Sequence, residues 1–468
     1  MGGVEREEEG ENERGDERES GPRWLREAAA CLRLAAPIVT AQLSFVSMGA
    51  VDTILAGHLG AKALAAVAVG SNIWFLTFVA FMGLFMAISP LVAQRVGANR
   101  PPVEVGAFLR GALKLALTLG LAWTVALEAV TAPLLSALHL DRETERLASG
   151  YLHVIAVGAL PYCAFFVLRN GADGHGLTRI SLFAGLFGLA LNAALGYVLM
   201  YGKLGLPALG PTGTACATVL AGCGMVAVYV YRYRRDEILR KLRVLQLRRL
   251  TAGTSGEILR VGLPIAAILV AESWLFVVGS LVMTHFGGTV VAANQVATNF
   301  AALTFIVPLS IGLATTVRVG QAAGAAAVAA GVPEIGLRSR VGVALGAGFA
   351  LISAGAMILL PDRIVTLYSK DPTIRALATR FLLYAGLFQI FDGVQGTANG
   401  ALRGLQYTRV PMVITVCAYW LIGFPGGLVL ALDTPLGPAG IWWGFILGLA
   451  IAALGLWLVL MNRIRVAR

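Results

Sequence analysis

The sequence has 468 residues, of which 57% are hydrophobic and only 13% charged, about half the charged share of an ordinary soluble domain. A water-soluble fold cannot hide that much apolar surface. The net charge of +11 does not indicate nucleic-acid binding either, because the basic residues flank apolar runs instead of forming one patch.

Residues 1–22 carry nine acidic and three basic residues and no apolar run, so a disordered tail is expected, extending with the approach to the first span over 1–31. Apolar blocks of about twenty residues follow, the length that crosses roughly 30 Å of hydrocarbon. They begin near Leu32, Leu64, Val105, Gly150, Ile180, Leu209, Glu257, Val290, Ser339, Ala376, Val410 and Pro438, which predicts twelve transmembrane helices. The fold expected is an all-α membrane protein of two six-helix lobes, 32–231 and 257–462, joined by a basic linker at 232–256 and ending in a short tail at 463–468. The 56 glycines suit helices that approach through small-residue faces. The five cysteines have neither zinc-like nor redox-like spacing and read as small core hydrophobes.

Orientation follows from the loops. Nine basic residues lie between Arg232 and Arg260, joining spans six and seven. Arg95, Arg100 and Arg110 after the second span, Arg169 and Arg179 after the fourth, and Arg318, Arg338 and Arg340 after the eighth fall on the same side. The positive-inside rule makes that side cytoplasmic and puts both termini there, and the plasma (inner) membrane is the expected location.

The chain repeats itself. A displacement of 227 residues pairs Pro37 with Pro264, His58 with His285, Gly60 with Gly287, Gln94 with Gln321 and Gly97 with Gly324. A displacement of 230 pairs Gly174, Thr178 and Arg179 with Gly404, Thr408 and Arg409. With six spans per half, the halves are parallel repeats about an axis along the membrane normal, which implies a central cavity and alternating access. His58 and His285 are read as interfacial packing or solvated residues.

Ionisable groups deep in hydrocarbon are costly and therefore mark function. Three acids are expected well inside spans, Asp52, Glu272 and Asp392, and Glu128 near an outer helix end is read as structural. Their repeat partners are Gly279, Phe45 and Tyr162, so scaffold symmetry does not account for them. Asp392, Gln395, Asn399 and Arg403 are spaced to share one helix face. Glu272 shares a face with Phe276, Gln295 shares one with Asn299, and the fifth span adds Asn192. Burial disfavours a bare carboxylate, so such groups take up a proton or Na⁺. Glu272 and Asp392 are the candidate Na⁺ ligands, with amide carbonyls as further oxygen donors. An organic cation would compete for the same charge, and Trp74, Phe75, Phe78, Trp274, Phe276, Phe388 and Phe391 offer it apolar and cation–π contacts.

Three segments resemble the multidrug and toxic compound extrusion transporters, particularly their NorM-type bacterial branch: Val51–Gly60, Tyr201–Gly213, and Phe388–Gln395 running on to Arg403. The resemblance extends from about Leu34 to Met461. It implies a V-shaped pair of lobes exporting small cationic drugs or metabolites, driven by a Na⁺ or H⁺ gradient, with no other cofactor. It would put Glu272 and Asp392 in an ion site of the second lobe and Asp52 in a protonatable site of the first. Two positions depart from the pattern: Gly196, where a second Asn one turn beyond Asn192 is usual, and Phe388, where Tyr is usual. A monomer in the lipid bilayer is expected, with no nucleic-acid partner.

Other readings carry less. A lipid-linked precursor flippase would favour several basic groups in the cavity, whereas the mid-membrane charges are read here as acidic. A channel fits a two-lobe repeat poorly. The sequence has no His-Glu-x-x-His and no Gly-x-Ser-x-Gly, so an intramembrane enzyme is not expected.

Overall fold

A computed structural model of the protein describes residues 22–246, 254–328 and 333–466. The expected acidic tail and the middle of the basic linker lie outside the described residues.

The first lobe contains α1 (Arg23–Leu59), α2 (Ala61–Met86) running on into α3 (Ile88–Gly97), α4 (Pro102–Ala137), α5 (Arg142–Val157), α6 (Ala159–Gly174), α7 (Arg179–Tyr201) and α8 (Pro211–Arg235). A short α9 (Glu237–Lys241) follows on the basic side. The second lobe contains α10 (Thr254–Met283), α11 (Gly288–Ala326), α12 (Pro333–Leu359), α13 (Pro361–Thr366), α14 (Pro372–Gly404), α15 (Arg409–Cys417), α16 (Phe424–Leu432) and α17 (Ala439–Val466). Among the described residues, eleven stretches are long and apolar enough to cross a bilayer, and the pair α5–α6, bent by 41°, makes twelve.

The breaks have local causes. Pro90 has no N–H for the Met86 carbonyl and Pro161 none for Val157, so the backbone yields at Ala87 and at Gly158. Gly60 and Gly287, repeat partners, end their helices at φ 118° and 96°, a conformation that favours glycine. Asp141 caps α5 through the Glu143 and Thr144 amides, and Asp371 caps α14 through those of Thr373 and Ile374. Two boundaries differ from those expected. The fourth span starts at Arg142, not near Gly150, because Asp141 initiates it. The first starts at Arg23, not Leu32, because its opening turns have a polar anchor in the other lobe, as follows.

All the side-chain hydrogen bonds and ion pairs seen between the lobes lie at the end that carries the basic loops. Buried Glu27 of α1 accepts from Arg318 Nε of α11 at 2.8 Å and lies 3.7 Å from Arg338 of α12. Arg95 of α3 pairs with Glu257 of α10 at 2.7 Å. Gln94 donates to the Gly404 carbonyl at 2.7 Å and accepts from Gln406 at 2.5 Å. The backbones themselves cross there. A Cβ on Gly97 would fall 2.0 Å from the Gln321 carbonyl oxygen, and a Cβ on Gly324 would fall 2.0 Å from that of Gln94. Because 94/321 and 97/324 are the repeat pairs, this is one contact made twice about the pseudo-twofold axis.

Away from that end the lobes diverge, and helical spacing identifies what faces the gap. A small cavity lies at the floor, between α1, α2, α3 and α6 on one side and α10 and α11 on the other. Its lining residues start stripes that climb outward: Ile38, Gln42, Phe45 and Asp52 on α1; Met86, Met82, Phe78 and Phe75 on α2; Leu269, Glu272 and Phe276 on α10; and Val317, Leu313, Leu309, Ile306, Asn299 and Gln295 on α11.

The crossing yields a test. Overpacking a closed contact costs about 1–3 kcal/mol, so Gly97→Val and Gly324→Val should each lower the thermal midpoint of the purified protein by a few degrees. Gly49→Ala is the control, since a Cβ there meets nothing within 4 Å. Midpoints equal to wild type for both valine variants would show that the lobes do not close at this crossing.

Candidate substrate and ion sites

In the first lobe, Asp52 is buried on α1 and held by two neighbours from other helices. Thr218 Oγ1 of α8 donates to its Oδ2 at 3.0 Å, and Asn192 Nδ2 of α7 donates to its Oδ1 at 3.3 Å. Asn192 also donates to Thr218 at 3.1 Å, and its own Oδ1 is buried without a partner among the described residues. The structure therefore unites Asp52 and Asn192, which the sequence singled out separately, and adds Thr218, which sequence reading missed because an isolated Thr in an apolar helix carries no signal.

In the second lobe, Glu272 of α10 accepts from Gln395 Nε2 of α14 at 2.9 Å and from the Tyr419 hydroxyl at 3.1 Å. Tyr419 is also new. It sits in a π-helical turn, Ala418–Gly423, between α15 and α16, and such one-turn irregularities recur at functional positions. The same turn lets Trp420 donate to the Ala271 carbonyl at 3.3 Å. Asp392, Gln395, Asn399 and Arg403 are all buried along α14. Asp392 and Arg403 lie within Coulombic range of Glu272. Among the described residues neither the Asp392 carboxylate nor the Arg403 guanidinium makes a hydrogen bond, and Arg403 Nε is buried. Two carboxylates, an amide and a phenol thus converge in a low-dielectric setting. No group of three or more His, Cys, Asp or Glu gathers among the described residues, so a small cation here would rely on oxygen atoms of this mixed set.

The other candidates separate. Gln295 and Asn299 are exposed on the cleft stripe of α11, and Gln295 Nε2 donates to Asn299 Oδ1 at 3.0 Å. Phe276 packs edge-on against Phe388 at 5.6 Å and Phe445 at 5.4 Å, beside the acids. Trp274 is 46% exposed and lies well round α10 from Leu269 and Glu272. Trp74 is buried in a stack with Trp123 at 4.5 Å, and Trp123 stacks in turn on Phe81 at 4.3 Å. Phe75 is 52% exposed on the cleft stripe of α2. Glu128 binds His153 at an exposed position, and His58 bonds only its own helix, at the Ile54 carbonyl.

Two expectations are corrected. The acids buried in spans are not three alone: Asp173 on α6 is 6% exposed and accepts from Ser181 at 2.7 Å. Arg169 is not a loop residue; it is buried one turn before Asp173, 3.5 Å from it. Arg169 donates from Nη2 to Gln42 at 3.0 Å and lies over the Phe45 ring at 5.6 Å. With Arg403, it shows that the interior charges are not exclusively acidic. The i, i+4 pairing explains the misreading, since an Arg and an Asp at the end of an apolar block look like loop residues until a salt bridge lets both be buried.

Comparison with known proteins agrees with this architecture. The MatE family model matches residues 37–198 and again 264–429, starting points 227 residues apart, which is the displacement of the repeat. The chain is 38% identical over 440 residues to the multidrug resistance protein PmpM of Pseudomonas aeruginosa, covering 93% of this chain and 91% of that protein. It is 36% identical over 443 residues to the multidrug resistance protein MdtK of Edwardsiella ictaluri, covering 92% and 94%. In fold it is similar to an outward-facing multidrug resistance MATE family transporter of the MOP superfamily, with a TM-score of 0.84, 22% identity and coverage of 96% and 98%. With both halves matched by the family model and multidrug resistance proteins as relatives over nine-tenths of its length, the chain is a membrane transporter rather than an enzyme and belongs to the MatE family.

Proposed function

We propose that this protein is an antiporter of the inner membrane that exports small organic cations, drugs or metabolites, in exchange for Na⁺ or H⁺. Its units would be the lobes at 32–231 and 257–462, acting as a monomer with both termini in the cytoplasm. One observation carries the reading: each lobe holds its own carboxylate site against a shared cleft, Asp52 with Asn192 and Thr218 in one, Glu272 and Asp392 with Gln395 and Tyr419 in the other. The multidrug resistance names of the relatives support the substrate class.

The chemistry is competition for charge. A buried carboxylate accepts a proton, a Na⁺ or an organic cation, and each occupant weakens the hold on the others. Gln395 and Tyr419 orient the Glu272 carboxylate by donating to it, and Asp392 supplies the second negative charge. Phe75, Phe78 and Phe276 give a cationic guest apolar and π contacts in the cleft, with Gln295 and Asn299 as polar contacts nearer the mouth. Ion uptake from outside neutralises the carboxylates and releases the outgoing cation.

Three outcomes test this. Coupling free energies of 1–3 kcal/mol correspond to about 5–150-fold effects, so Glu272→Gln and Asp392→Asn should each reduce gradient-driven efflux of a fluorescent organic cation about tenfold or more. The measurement is transport in proteoliposomes under separately imposed Na⁺ and H⁺ gradients, at matched reconstitution; full coupled transport in both variants would sink the assignment. Asp52→Asn should weaken equilibrium binding of a cationic ligand while leaving a neutral one nearly unchanged, and equal affinity of variant and wild type for the cation would make Asp52 structural. For orientation, a Lys241→Cys label on exposed α9 should react with an impermeant maleimide only from the cytoplasmic side, above the native-cysteine background. Labelling of intact cells from outside would reverse the topology and the direction of transport.

A further inference from the structure

The floor of the cleft carries chemistry that a cation exporter does not call for. Its two walls differ in kind. The wall from the second lobe is wholly aliphatic, made of Leu269, Leu309, Leu313 and Val317. The wall from the first lobe includes Gln42, Ser89, Arg169, Asn170 and Asp173. Arg169 is the basic residue of this cavity, and it is deliberately fixed: Nη2 on Gln42, the plane over Phe45 and Phe165, and Nε 3.5 Å from Asp173. The Asp173 contact is single and long, since that carboxylate has its shorter bond, 2.7 Å, to Ser181, which in turn meets Tyr229 at 2.8 Å.

This leaves donors unspent. Among the described residues, Arg169 Nη1, the Gln42 amide nitrogen and the Ser89 hydroxyl make no hydrogen bond, although all three residues line the same cavity. Asn170, by contrast, uses its amide nitrogen on the Phe166 carbonyl at 2.8 Å. Three convergent donors, one of them a guanidinium, are what a carboxylate requires, and the fork of an arginine matches its two oxygens. The opposite aliphatic wall requires an apolar body on the same molecule. One helical turn outward from Leu269 stands Glu272, an axial rise of about 4.5 Å.

We propose that the floor of the cleft is a subsite for the carboxylate of an amphiphilic zwitterion, held by Arg169, Gln42 and Ser89, with the apolar body against the Leu269 wall and the cationic end toward Glu272. This rests on the cation-export reading above for the cationic end only. The repeat supports a role peculiar to the first lobe, because the positions equivalent to Arg169 and Asp173 in the second are Asn399 and Arg403, so the ion pair is not scaffold.

A matched pair of dyes tests it: rhodamine 110, which has a free carboxylate, and rhodamine 123, its methyl ester, which has only the cation. Binding to the purified full-length protein is followed by fluorescence polarisation. Loss of charge-assisted hydrogen bonds predicts that Arg169→Gln weakens rhodamine 110 by about tenfold or more and rhodamine 123 by less than about twofold, and that Arg169→Lys restores part of the loss. Gln42→Leu, which leaves the Arg169–Asp173 pair in place, should act in the same direction, and it serves if Arg169→Gln does not fold. Equal loss for acid and ester, no loss for the acid in either variant, or no binding of rhodamine 110 to wild type would each overturn the proposal. Failure of the cation reading looks different: wild type would then bind the acid and not the ester.

Discussion

The crossing of α3 and α11 sets the geometry of everything above it. Two helices can bring a backbone carbonyl against another backbone only where neither side chain intervenes, and the chain supplies glycine at both required points, Gly97 and Gly324. Gly262 and Gly83 extend the close approach, with ideal Cβ positions 2.3 Å from the Leu84 carbonyl oxygen and 2.7 Å from Ala266 Cα. Once the lobes are pinned at one end, the remaining length of each span must diverge, and the diverging faces become a cleft that narrows to the floor at Arg169. The polar sites inherit their placement from this. Asp52 stands ten residues beyond Gln42 on α1, and Glu272 three beyond Leu269 on α10, so depth in the cleft is measured along helices that share one fulcrum.

The same fold is used twice, yet its charges are not, and the packing explains how each half forbids the other's acid. Asp52 has its partner at Gly279, where a Cβ would fall 2.4 Å from the Phe445 ring. Glu272 has its partner at Phe45, which packs on Phe165 and under Arg169. Asp392 has its partner at Tyr162, whose hydroxyl reaches the Thr218 carbonyl at 3.3 Å while its ring meets Phe78 edge-on. In each case an apolar or aromatic contact fills the position where the repeat would otherwise permit a carboxylate. A scaffold with parallel symmetry thereby holds two unlike carboxylate environments, one built around hydroxyl and amide donors, the other around a pair of acids with a buried arginine nearby.

Much of this was legible in the residue order. Span lengths, the repeat and the unmirrored acids are consequences of hydrophobic length and of the cost of burying charge, both properties of single residues or short windows. Asp52, Asn192, Glu272 and Gln395 could each be named because an acid or an amide in an apolar helix has few alternatives, but their pairing could not. What was hidden depends on partners that only folding supplies. Thr218 and Tyr419 are ordinary membrane-helix residues until a carboxylate lies beside them. Tyr419 additionally needs the π turn at Ala418–Gly423, which no spacing of apolar residues announces. Arg169 looked like the start of a loop because alone it would be expelled from hydrocarbon; with Asp173 and Gln42 beside it, it is retained. The opening turns of α1 were assigned to the tail for the same reason, since Glu27 is an acceptable helix residue at the membrane edge only because Arg318 and Arg338 are opposite.

The inner contacts also decide what a transport cycle must overcome. Exposed ion pairs are worth roughly 0–1 kcal/mol, so Arg95–Glu257, partly open to solvent, is a weak restraint. Glu27 is different: it is buried, with one arginine bonded to it and a second at 3.7 Å, and separating a buried charge from its partner costs about 3–5 kcal/mol unless water reaches it first. Opening at this end therefore has to wet this position. A ligand that binds both lobes in the cleft changes the balance only by its difference in affinity between the two states. Occupants that hold the lobes at a fixed angle above the floor and those that let them close act on the latch in opposite senses, without touching it.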